Sequence, residues 1–119
     1  MNKLIQDFIL LATEHGECTL NGDFKNGNKA HDKMMKIIEL IKKKDDHVKK
    51  EFYDLMYHED DSVKMWTATT LLKSFEQRAL GVLNNVAKNN KTIHSLTAST
   101  TIDCWKKGLL TNIVDWSTL

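Results

Sequence analysis

Proline is absent from this chain, where ordinary usage of ~5% would place about six. Proline breaks helix interiors by a ring clash and a missing donor, so its absence leaves long uninterrupted helices open to the chain. Cysteine is scarce: Cys18 and Cys104 stand far apart and form no CxxC pair, which excludes a disulfide framework and predicts free thiols in a reducing compartment. No apolar run approaches the ~20 residues of a membrane span. An acid at Asp7 interrupts what would have to be the apolar stretch of a signal peptide, so a cytoplasmic protein with no membrane partner is expected. Charge of one sign is missing too. The net charge is +1, which argues against a dedicated nucleic-acid binder and equally against an acidic phosphate mimic.

What is present is helical periodicity. The chain has 119 residues, the length of one domain, with 41% apolar and 28% charged residues. Leu4, Phe8, Leu11 and Ala12, flanked by Ile5 and Ile9, form an amphipathic stripe that fades at Gly16. Thr19 to Asn28 collects turn formers and reads as a loop. A second helix carries Ala30, Met34, Ile37, Ile38 and Ile41 and ends in Lys42, Lys43 and Lys44, cations suited to the negative end of a helix dipole. Asp45 or Asp46 can cap a third helix with Val48, Phe52, Leu55 and Met56. His58 to Ser62 reads as a turn with another cap, opening a fourth helix through Val63, Trp66, Thr67, Thr70 and Leu71. A fifth runs from about Phe75 to Lys88, and a sixth carries Leu96, Ala98, Ile102 and Trp105 before stopping at Gly108. The apolar tail from Leu109 to Trp116 is expected to cap the end of the stack. No segment sustains the alternation of a strand. The expectation is an all-α domain over residues 1–119, with six helices paired in order as three antiparallel hairpins.

From Leu55 to Leu72 the sequence resembles a HEAT repeat. Leu55 and Met56 close a first helix, an acidic turn follows at Glu59, Asp60 and Asp61, and Val63-Lys64 opens a second helix, with Lys where Arg is usual. Thr67, Ala68 and Thr70 fill the small positions that let two helices approach closely. Gly22-Asp23-Phe24-Lys25, Asn28-Lys29, Asp32 and the closing Trp105-Lys106-Lys107-Gly108 resemble motifs of a bacterial family of HEAT-like domains. That resemblance covers about residues 3–110 and implies a short αα-superhelix, with no activity attached. Some relatives resemble immunity proteins encoded beside toxins, which implies a cognate toxin domain as partner, neutralised by covering its active site.

The chemistry-bearing groups add little to this. His15 and Cys18 of His15-Gly16-Glu17-Cys18, with His31, hold nitrogen and sulfur donors of the kind zinc takes, but their spacing fits no standard site and offers no obvious fourth ligand. Glu59, Asp60 and Asp61 in a row read as a solvated cap rather than an acid–base pair converging across a cleft. The basic cluster of Lys42, Lys43, Lys44, Lys49 and Lys50 is interleaved with Asp45, Asp46, Glu51 and Asp54, and reads as a salted surface. There is no Gly-rich phosphate loop, GxSxG elbow or HExxH segment, so neither an enzyme nor a cofactor is expected. Binding is then the default use of a helical stack. On a helical wheel Asp32, Lys36, Met65, Thr69, Ser99 and Asp103 point away from the apolar stripes and should line one partner-binding face, helped by Trp116. The competing expectation is a nucleic-acid-related, repair-type HEAT-like protein, for which the chain supplies too little positive charge.

Overall fold

Most helices begin where a short polar side chain receives the first free backbone N–H groups. The computed structural model describes residues 2–89 and 92–110. Asn2 Oδ1 accepts from the Leu4 N–H at 2.8 Å and opens α1 (Lys3–Asn21). Gly22, at φ 74°, ends α1 in the left-handed conformation that glycine adopts without penalty. Asp23 then caps α2 (Phe24–Lys42) through the Asn26 N–H at 3.3 Å. Asp45 caps α3 (Asp46–Asp54) through Val48, and Asp60 caps α4 (Asp61–Thr70) through Val63. A 3-10 turn (Leu55–Tyr57) joins α3 to that cap. Two further helices follow, α5 (Glu76–Asn89) and α6 (Ile93–Lys106). The all-α expectation is met, and no strand occurs among the described residues.

One continuous core runs through all six helices, from Ile5, Phe8 and Ala12 of α1 to Ala98 and Ile102 of α6. Phe8 meets Phe52 of α3 edge to face at 5.0 Å, which fixes the start of α1 over α3. The first and last helix pairs are the expected hairpins: α1 packs along α2, and α5 along α6. The middle pair differs. α4 packs mainly on α5, the 3-10 turn and α1 rather than on α3, and it also touches α6. A helix with neighbours on so many sides buries most of its circumference, and Ser62, Val63, Met65, Thr67, Ala68 and Thr70 are all buried.

Burying threonines on such a helix needs acceptors, and α4 supplies its own. Thr67, Thr69 and Thr70 each donate to the carbonyl four residues back, at 2.8, 2.8 and 2.9 Å.

Two glycines read from sequence as a stop signal and a loop former lie inside helices. Gly16 is buried within α1, and Gly27 is buried in the first turn of α2 against Cys18. A Cβ at Gly16 would overlap the Ser62 hydroxyl and come within 2.8 Å of Ser62 Cβ. The missing side chain is therefore what lets the N-terminus of α4 reach α1. The expected loop over Thr19 to Asn28 shrinks to Gly22 and Asp23, because one residue ends a helix and the next starts another.

Gly16→Ala is expected to lower stability by about 1–3 kcal/mol, the usual range for overpacking, despite alanine's higher helix propensity. Adding Ser62→Gly should recover most of the loss, since it removes both obstructing atoms. Urea unfolding of the single and double variants measures this. An alanine variant as stable as wild type would show that α1 and α4 do not meet at this point.

Candidate functional site

Four of the residues expected to line a partner-binding face are exposed. Asp32 and Lys36 are exposed on α2, and Ser99 and Asp103 are exposed on α6. Thr69 is half-buried, with its hydroxyl proton committed to the Met65 carbonyl. Met65 is a correction. It is 5% exposed and belongs to the core, because α4 has neighbours on several sides and a wheel drawn with one apolar face does not apply to it. Trp116 lies outside the described residues.

A seam of rings that periodicity did not reveal joins side chains of α1, α2, α4 and α6. Trp66 of α4 is half-buried and packs on the first hairpin. Its ring stands edge-on to His15 of α1 at 5.1 Å and tilted to His31 of α2 at 5.3 Å. The two imidazoles lie 6.3 Å apart. On the other side the Ser62 hydroxyl lies 3.5 Å from His94 Nε2, which brings α6 to the same place. The Trp66 indole N–H is buried and meets no acceptor among the described residues. His31 Nδ1 lies 3.7 Å from Asp32 Oδ1, so the seam ends at the first residue of the expected face.

Burial, and then the neighbouring His31 and His94, push His15 below its ordinary value of 6.5. His15, His31 and Cys18 carry zinc-type donors at a spacing that fits no standard site. The fold does bring the two rings together, but Cys18 packs against Gly27 instead. Burial and the carboxylates of Asp23, Glu14 and Glu17 hold the Cys18 thiol above its ordinary range. No three His, Cys, Asp or Glu side chains converge as metal ligands among the described residues. Ser62 is buried under α1, so its hydroxyl faces helix packing rather than a cleft. His94 and Ser62 escaped the sequence reading because only the approach of α6 and α4 to Gly16 joins them. The lysine-rich surface at the end of α2 and in α3 stands apart from this seam, and there His47 lies 3.5 Å from Glu51.

A second feature is an open groove of about 450 Å³ between the 3-10 turn, α4 and α5. Tyr57, Lys64, Arg78 and Asn85 line it over an apolar floor of Met56 and Val82. Both cysteines are free thiols, and no described helix is long and apolar enough to cross a membrane.

The depressed His15 has a measurable consequence. Around pH 6 the unfolded chain takes up a proton that folded His15 resists, so stability is complete above 6.5 and falls as pH drops below it. His31 of α2 and His94 of α6 are the titratable groups facing it, with Asp32 beside His31. A His15→Gln variant should lose less of its melting temperature than wild type between pH 7.5 and 5.5. Parallel pH profiles for the two proteins would overturn the assignment.

A scan against protein-family models and searches of curated proteins and of solved structures find no match to this chain.

Proposed function

We propose that this chain is a non-catalytic protein-binding module, and that its partner is a cognate toxin domain neutralised by covering the toxin's active site. One observation supports binding through α2 and α6. Each helix presents an exposed stripe that joins charge to a large apolar side chain. On α2, Asp32, Lys36 and Leu40 follow one another at intervals of four, which keeps them on one side of the helix. On α6, Leu96, Ser99 and Asp103 do the same at intervals of three and four. Leu40 is 48% exposed and Leu96 66%, and neither joins the core. Leu96 was expected inside, yet α6 buries through the smaller Ser95 and Ala98 together with Ile102. A stripe that carries an exposed leucine and an exposed acid suits a protein interface, where apolar contact supplies area and desolvated charge supplies selectivity. Both stripes together are smaller than the ~20–30 residues a standard interface takes from each side, so adjoining turns must contribute. The toxin itself comes from the HEAT-like resemblance of residues such as Val63-Lys64 and Trp105-Lys106-Lys107-Gly108.

The test is to express the gene product encoded beside this chain in a bacterial host, alone and together with it. Growth arrest relieved by co-expression, with a stable complex on gel filtration, is the expected outcome. Asp32→Lys combined with Asp103→Lys should weaken that complex by about 2 kcal/mol or more, roughly 30-fold in Kd. The melting temperature of the free protein should barely move, because exposed charges contribute little to stability. A tight complex indifferent to the double reversal would exclude this face. Recovery of nucleic acid in place of a protein would favour the repair-type reading.

A further inference from the structure

We infer that the groove between the 3-10 turn and α5 receives an acidic segment of a protein partner, with a carboxylate on Arg78 and Lys64 and an apolar neighbour against Tyr57. The occupant's class rests on the protein-binding reading above, but the residues and elements are different ones.

The lining contains donors and apolar surface but no carboxylate. Lys64 stands on one wall, 3.4 Å from Asp61, an acid that lies outside the lining. Arg78 stands on the α5 wall and makes no ion pair among the described residues. His58 also lines the groove and accepts the Asp60 N–H on Nδ1 at 3.0 Å, which leaves Nε2 as the ring's donor. Tyr57 remains 66% exposed at the edge, a large ring without a partner on its outer side.

Gly81 is the second, independent sign. It lies well inside α5 and faces this groove, and a Cβ built there meets nothing within 4 Å. Glycine inside a helix is less stable than alanine, and at this position the chain gains no internal close approach in return, unlike at Gly16. A bare backbone beside a donor-lined groove fits a ligand that approaches α5 closely.

The charges around the groove select a short anionic group over a continuous polyanion. Glu59, Asp60 and Asp61 crowd the turn that leads from His58 into α4, and Asp61 already lies 3.4 Å from Lys64, so the negative charge beside the groove disfavours a continuous polyanion. A single glutamate or aspartate side chain needs only one guanidinium, and Arg78 has no carboxylate partner among the described residues. A guanidinium takes a carboxylate through two parallel hydrogen bonds, and Met56, Val82 and Tyr57 offer apolar contact to the next residue along.

The test uses the full-length protein and a fluorescein-labelled decapeptide alternating glutamate and leucine. A lysine–leucine decapeptide and a single-stranded deoxyoligonucleotide serve as comparisons. The acidic peptide should bind in preference to both, and binding should weaken as salt rises. Arg78→Glu should reduce its affinity at least 10-fold. Gly81→Ala should raise the melting temperature by about 2–5 °C, because it removes a helix-interior glycine that nothing in the fold requires. Gly81→Leu should keep the fold and abolish binding by filling the groove. Equal binding of both peptides, stronger binding of the oligonucleotide, or an acidic-peptide affinity indifferent to Arg78→Glu and Gly81→Leu would overturn the inference. These readouts need no toxin. They can fail while the toxin complex forms through α2 and α6, and they can succeed while that complex does not form.

Discussion

The approach of α4 to α1 is the contact on which the rest of the arrangement depends. It exists because position 16 carries no side chain, so Ser62 occupies the space a Cβ would take. From that point α4 continues through the interior, with α1, α5 and α6 around it. Trp66 lies one turn further along and meets His15 and His31. Ser62 in turn lies beside His94, so the same contact places α6. Any bulk at position 16 would push α4 outward and open the ring seam together with the core beneath it.

An interior helix has to dispose of its polar groups, and α4 does so internally. Three threonines donate to carbonyls on their own helix, so the helices packed against α4 need supply no acceptors. Ser62 is directed toward an imidazole, while the Trp66 indole N–H is left without an acceptor among the described residues. An unsatisfied buried donor typically costs about 1–3 kcal/mol, so the packing around Trp66 must outweigh it.

Much of the fold could be read from local chemistry. Of Asp45 and Asp46, the two acids able to cap α3, Asp45 does so, the cap expected within His58 to Ser62 is Asp60, and Gly108 follows the end of α6 at φ 70°. Glycine was the residue type that misled. The same residue serves as a helix terminator at Gly22 and as a packing notch at Gly16 and Gly27, and the difference lies in a neighbour tens of residues away or on the next helix. Met65 and Leu96 were misplaced for a related reason. A wheel assumes one buried face, but α4 is enclosed on most sides and α6 packs through small residues. The charged members of the expected face, Asp32, Lys36 and Asp103, were legible because charge avoids the interior whatever the topology. The seam and the groove were not, since His15, His31, Ser62 and His94 come from four helices, and Tyr57, Arg78 and Gly81 gain meaning only when α5 is laid beside the 3-10 turn.

The two-residue link between α1 and α2 bears on the order in which the chain assembles. Two helices of 19 residues joined only by Gly22 and Asp23 can begin to pair after closing a very short loop, which loses little chain entropy. The meeting of Gly16 with Ser62 spans a far longer loop and gains little until α4 has formed. On loop-closure entropy the first hairpin is expected to form early and α4 to insert late. The outer surface of α2, with Asp32 and Lys36, would then be displayed before the interior helix is in place.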